Sequence, residues 1–191
     1  MDQAERMKRR DAIVPLLKDP EVEVRQAASR ALEELEASES LDEVTDRLKR
    51  GDRATKVAAI HALARIDDDR VLQILNYCAG RPEEDIRCAA INVLGGLGRP
   101  EAIPTLVEKL LDPSTPVRAL AIAALGNYRD RALIPKLAPF LEANDGFLDA
   151  EAALALGRIG DASVVAPIMK LLASPHDKTR AAAATALAQL P

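Results

Sequence analysis

Arg25, Lys56, Arg87, Arg118, Asp149 and Arg180 follow one another at intervals of 31 residues, and this period constrains the fold more than any other feature of the chain. Six units result. Leu32, Leu63, Leu94, Leu125, Leu156 and Leu187 repeat in the same register, and so do Ala28, Ala59, Ala90, Ala121, Ala152 and Ala183, four residues earlier. A spacing of four places the alanine and the leucine on one face of a helix. Upstream, Ile13, Val44, Leu75, Leu106, Leu137 and Ile168 form a third column. Leu17, Leu48, Ala79, Leu110, Leu141 and Leu172 lie four residues further on, which predicts a second helix in each unit. Pro20, Gly51, Pro82, Pro113, Asn144 and Pro175 separate the two helices with residues that break helices or shape turns. Each unit is therefore helix, turn, helix. Gly98-Arg99-Pro100 and Gly160-Asp161 end units, while Pro104 and Pro135 suit the first turn of the next helix.

Composition agrees with close helix packing. Of the residues, 48% are hydrophobic but only 2% are aromatic, so the core is built from Leu, Ile, Val and Ala. The net charge of -4 argues against nucleic acid, whose ligands carry basic surfaces that displace counterions. Two cysteines, Cys78 and Cys88, are too few for a disulfide framework and fit a reducing compartment. The start has no apolar run long enough for a signal peptide, and nowhere do 18 apolar residues follow one another. A cytoplasmic protein without membrane contact is expected.

Leu110-Leu111-Asp112-Pro113, Val117-Arg118, Ala121 and Ala124-Leu125-Gly126 resemble the short HEAT-like repeat of the phycobilisome-lyase type. The similarity covers nearly the whole chain. It implies an all-α fold, a right-handed α-solenoid of six helix-turn-helix HEAT-like repeats with period 31, in a single domain over 1–191. The repeats would run over 1–38 with an N-terminal cap, then 39–69, 70–100, 101–131, 132–162 and 163–191. In that family the turn Asp and the following Arg commonly form a ladder, which here implies Asp19 with Arg25 and Asp112 with Arg118. Ankyrin and tetratricopeptide signatures are absent.

The departures from the pattern carry expectations of their own. Arg10 stands where later units have Leu41, Leu72, Ile103, Ile134 and Val165, so the segment around Glu5 to Arg10 is expected to cap the first repeat. The last helix, Ala181 to Leu187, carries little charge, and the sixth repeat is a candidate for self-association or for meeting further domains. In the fifth unit Pro139 follows Pro135 by four residues, so its first helix is expected to be short or kinked. Asp149 reverses the charge of its column and is expected to pair with Arg118 or Arg180.

The second helices of such solenoids line the concave side. Counting 100° per residue from Ala28 puts Gln26, Arg30 and Glu34 at about 160°, 200° and 240°, away from the core. The equivalent positions supply a candidate partner-binding strip: Val57, His61, Arg65, Cys88, Asn92, Ala119, Ala123, Asn127, Leu154 and Arg158, with Ala150 in its floor. An exposed apolar strip rimmed by polar groups marks an interaction surface. The alternative is that neighbouring second helices close over these small residues.

Catalytic constellations are missing. His61 and His176 lie on separate repeats, which supports neither a histidine metal site nor a Ser-His-Asp triad. HEAT-like deoxyhypusine hydroxylases bind iron through His-Glu pairs, whereas this chain has His61-Ala62 and His176-Asp177. HEAT-like alkylpurine glycosylases bind DNA on a basic face with aromatic residues, and this face lacks both. Arg87 beside Cys88 offers a basic neighbour for a thiolate, although a small buried hydrophobe accounts for the cysteine better. Gly95 shares a column with Gly126 and Gly157, which points to close packing rather than a phosphate loop. A non-enzymatic adaptor that binds another protein, with no cofactor and no metal, is therefore expected. The resemblance alone implies an alternative, a phycobilin lyase-like or chaperone-type subunit acting on a tetrapyrrole protein.

Overall fold

The computed structural model describes residues 3–37 and 41–191, apart from the side chains of residues 3, 4, 6, 33, 34, 36 and 37. Among the described residues there is no strand. The helices are α1 (Gln3–Ile13), α2 (Val22–Ala37), α3 (Leu41–Arg50), α4 (Arg53–Leu63), α5 (Arg70–Ala79), α6 (Glu84–Leu97), α7 (Ile103–Glu108), α8 (Thr115–Asn127), α9 (Ile134–Leu137), α10 (Leu148–Ile159), α11 (Val165–Lys170) and α12 (Asp177–Gln189). Odd-numbered helices open the repeats and even-numbered helices close them, as the periodicity predicts. The boundary expected at 38/39 and the side chain of Glu34 lie outside the described residues. Two compact units divide the chain, Met1–Val71 and Leu72–Pro191.

Most of the column residues form the core, although Leu17 and Leu172, in the first and sixth repeats, are exposed. Leu63, Leu94, Leu125 and Leu156 are fully buried, as are Ala59, Ala90, Ala121, Ala152 and Ala183. Short-range hydrogen bonds set where the helices begin. Asp68, Asp130 and Asp161 accept from the backbone N–H two residues on, at Arg70, Ala132 and Ser163, and start the first helices of their repeats. Asp52 caps α4 through Thr55 N–H, and Ser114 caps α8 through Val117 N–H.

The first helices of the later repeats are short and tighten into 3-10 turns. Two prolines leave α9 only four residues before the turn Ala138–Glu142, whereas α7 and α11 have six each. The shortening expected of the fifth repeat is present.

In the second unit the closing helices stack through glycine. A Cβ placed on Gly95 would lie 2.5 Å from Ala124 Cβ, one on Gly126 would lie 2.7 Å from Ala155 Cα, and one on Gly157 would lie 2.7 Å from Ala186 Cα. Three successive junctions thus use one device, a missing side chain facing the backbone of the next repeat. Tyr128 strengthens one of them, since the hydroxyl of this half-buried side chain donates to Leu94 O at 3.0 Å and lies 3.2 Å from Arg99 O in the preceding repeat. At the glycine position the first two repeats carry Glu33 and Ala64.

Arg25 and Arg118 do not bind the carboxylate of the turn aspartate in their own repeat, which corrects the pairing implied by the family pattern. Arg25 Nη1 donates to the carbonyls of Asp19 and Pro20, and Arg118 Nη1 to those of Asp112 and Pro113. The Asp112 carboxylate instead accepts two bonds from Arg87 of the preceding repeat, at 2.9 and 3.0 Å. Geometry explains the exchange: a guanidinium folded back over its own turn meets carbonyls, while the turn carboxylate faces the repeat before it. Asp149 is also corrected. Rather than pairing with Arg118 or Arg180, it is 1% exposed and accepts from Thr179 Oγ1 at 3.0 Å and from Ala150 N–H. Thr179 fills a column that is Val24, Thr55, Ile86, Val117 and Leu148 in earlier repeats, and here its hydroxyl meets the carboxylate of the fifth repeat.

In the first unit, Glu5 and the residues from Met7 to Ala12 are exposed, with Arg9 paired to Glu5 at 3.2 Å. The polar surface expected of α1 is there, yet it leaves a groove of about 380 Å³ open along Ile13, Leu16, Val24, Ala27 and Ala31.

Gly126→Ala is expected to destabilise the chain by about 1–3 kcal/mol, because the methyl group would meet backbone rather than a mobile side chain. Gly96→Ala, with nothing within 4 Å, should stabilise it by about 0.5–1 kcal/mol. Urea unfolding of the two variants checks both signs. Arg87→Ala leaves a buried carboxylate with only Ser114 N–H and should cost about 3 kcal/mol. Replacing Arg87 and Asp112 together by apolar residues should cost clearly less in the same measurement.

Candidate functional site

The even-numbered helices of the second unit present a free face whose openness varies along it. Asn92 and Asn127 are exposed, and Cys88, Ala123, Leu154 and Arg158 are half-buried. Ala119 and Ala150 are 5% and 8% exposed. Both are largely covered by their neighbours, and Ala150 keeps only a small accessible area. The strip is closed at Ala119, nearly closed at Ala150 and open at Ala123 and Leu154. In the first unit, His61 and Arg65 are exposed beside the half-buried Val57 on α4 and the turn after it.

The open stretch deepens into a groove between α10 and α12, with a volume of about 390 Å³. Phe147, Ala150, Leu154, Ala181 and Ala182 form its apolar surface, with Glu151, Lys178 and Thr185 around it. Phe147, Glu151 and Lys178 were not among the sequence candidates. Counting back from Ala183 places Lys178 at about 220°, within the outward arc, one turn before the positions considered. The signal was therefore present in the helical angle.

Arg158 lies across the adjoining helix. Its Nη2 donates to Ala123 O of α8 at 3.1 Å and lies 3.0 Å from where a Cβ on Gly126 would be. Gly126 thus makes room both for Ala155 and for this guanidinium. The carbonyl belongs to the last turn but one of α8. Nε of Arg158 is buried without an acceptor. Burial holds this guanidinium below the ordinary arginine range, with Glu151 opposing the shift.

Neither thiol is activated. Burial pushes Cys78 up to about 11, and Cys88 is raised chiefly by burial and then by Glu84, against a smaller opposing effect of Arg87. Arg87 offers little activation because its charge is engaged by Asp112. Among the described residues no group of three or more His, Cys, Asp and Glu side chains is placed to hold a metal ion. No helix among them is long and apolar enough to cross a membrane.

A family model described as HEAT repeats matches residues 10–87, 76–148 and 134–191. No curated protein matches the sequence. Among solved structures, the complex of CpcE and CpcF of phycocyanin lyase from Nostoc sp. PCC7120 is similar, at 23% identity and a TM-score of 0.70 over 80% of this chain. This chain spans 65% of the length of that one. An engineered protein is 23% identical with a TM-score of 0.53, covering 94% of this chain and 95% of its own. A designed armadillo repeat protein is 19% identical with a TM-score of 0.51, covering 94% and 99%. At such identities the likeness concerns the fold.

Because raised thiol pKa values lower the thiolate fraction, both cysteines should react slowly with iodoacetamide at pH 7 in the native state. Labelling of Cys88 should accelerate as pH rises towards and past 9, ahead of the fully buried Cys78. Mass spectrometry of the labelled peptides reads this order, and rapid modification of Cys88 at pH 7 would contradict it.

Proposed function

The chain belongs to the family of HEAT repeats, and on that premise we propose that it is a non-enzymatic scaffold or adaptor that holds a segment of another protein on the free face of its closing helices. The observation that carries this reading is the face itself. Stacked α-helices present exposed Asn92 and Asn127 beside half-buried Ala123 and Leu154 and an apolar groove, the mixture of anchors and polar groups that protein interfaces use. Val57, His61 and Arg65 offer a comparable face on α4 and its end, while Ala119 acts through packing.

Among the described residues no group of three or more His, Cys, Asp and Glu side chains is placed to hold a metal ion, and both thiols are shifted away from reactivity. Binding is the chemistry this surface supports. Self-association or contact with further domains through the sixth repeat remains part of the proposal, since Met169 and Leu172 are exposed there.

The likeness to the CpcE and CpcF complex favours a second reading, a subunit acting on a tetrapyrrole protein. A bilin mixed with the chain would then change its absorbance spectrum, and an unchanged spectrum disposes of that reading.

For the scaffold reading, affinity purification of the intact chain should recover a stoichiometric protein partner. Ala123→Glu should lower its recovery at least tenfold without loss of helicity by circular dichroism. A partner retained equally by the variant would show that the closing helices are not its site.

A further inference from the structure

The groove and Arg158 share the free face of the closing helices but flank α10 on opposite sides. Leu154 and Ala150 face α12 across the groove, while the guanidinium reaches back over α8 to Ala123. We propose that this face selects an extended segment of a partner protein carrying a large apolar side chain and a carboxylate two to four residues apart, the apolar group in the α10–α12 groove and the carboxylate on Arg158. This rests on the reading of the face as a protein-binding surface and specifies what the surface recognises.

The groove supplies the apolar half. Phe147 is 41% exposed at one end, and Leu154, Ala150 and Ala181 continue its apolar wall. A volume of about 390 Å³ has room for one large side chain. Glu151 and Lys178 carry opposite charges beside it, so the groove itself has no preferred sign.

Arg158 sets the sign. No carboxylate among the described residues lies within ion-pair distance of it, and its single hydrogen bond goes to a neutral carbonyl. Its Nε is covered and lacks an acceptor, whereas its Nη1, which makes no bond, is not covered. A partly desolvated cation without an anion is the unfavourable half of an ion pair, and an incoming carboxylate completes it with charge-assisted bonds. Burial holds this guanidinium below its ordinary range, and Glu151 opposes the shift without forming an ion pair.

Spacing follows from the helices. Neighbouring helix axes lie about 8–10 Å apart, so groove and guanidinium are separated by roughly that distance across α10. An extended chain advances about 3.3 Å per residue, which places the two side chains two to four residues apart.

The test uses the full chain and fluorescein-labelled dodecapeptides of Gly and Ser that carry one Leu and, two to four residues away, one Glu or one Lys. In anisotropy titrations the Leu/Glu peptides should bind at least tenfold more tightly than the Leu/Lys peptides. Arg158→Gln should remove that preference and keep the dependence on Leu, and Leu154→Asp should abolish binding of both series, with circular dichroism showing the helices intact. Equal binding of the two series, a preference that survives Arg158→Gln, or no binding by any Leu-bearing peptide overturns the proposal. If a co-purified partner is released by Ala123→Glu but held unchanged by Leu154→Asp and Arg158→Gln, this proposal falls while the scaffold reading stands.

Discussion

The second unit depends on the contact between a glycine of one closing helix and an alanine of the next. Gly95, Gly126 and Gly157 each face the backbone or methyl group of Ala124, Ala155 or Ala186 at distances no Cβ could occupy. Because the helices meet backbone to backbone, Ile91 and Ile122 beside the contact are completely buried, and the invariant alanine and leucine columns align from repeat to repeat. The same absence of a side chain at Gly126 leaves the space in which Arg158 reaches Ala123. One residue type thus fixes both the stacking of the repeats and the placement of the charge that gives the free face its chemistry.

Polar groups follow the packing rather than direct it. Arg25, Arg87, Arg118 and Arg180 all turn back onto the carbonyls of their own turns, which would otherwise be unpaired at the ends of the opening helices. Only Arg87 of these four also finds a carboxylate, because Asp112 is in place one repeat on; the matching positions for Arg25 and Arg118 are Arg50 and Ala143. Where the column reverses to Asp149, burial forces a new donor, and Thr179 provides it. The fifth and sixth repeats are therefore coupled by a buried hydrogen bond between Thr179 and Asp149.

Much of the candidate site was legible in the residues. Helical angle placed Asn92, Ala123, Asn127, Leu154 and Arg158 on one face, and the structure leaves all five at least partly accessible. Ala119 shares their angle and is nevertheless buried, because angle says nothing about how high the neighbouring side chains stand. Phe147 and Lys178 lay one turn outside the positions considered. The groove they line depends on the distance between α10 and α12, which no single-helix count contains.

The sequence by itself determined the number of repeats, the two helices in each, most residues of the core and the shortness of α9, since all of these follow from local spacing and from what proline and glycine do to a backbone. Tertiary structure alone decided that Asp112 belongs to Arg87 rather than Arg118, that Asp149 is answered by Thr179, that the strip is shut at Ala119 and open at Leu154, and that Arg158 is left without an anion. Those outcomes turn on distances between residues about 25 to 35 positions apart, set by how closely one helix can approach the next, and the periodicity of a sequence carries direction along each helix but not that separation.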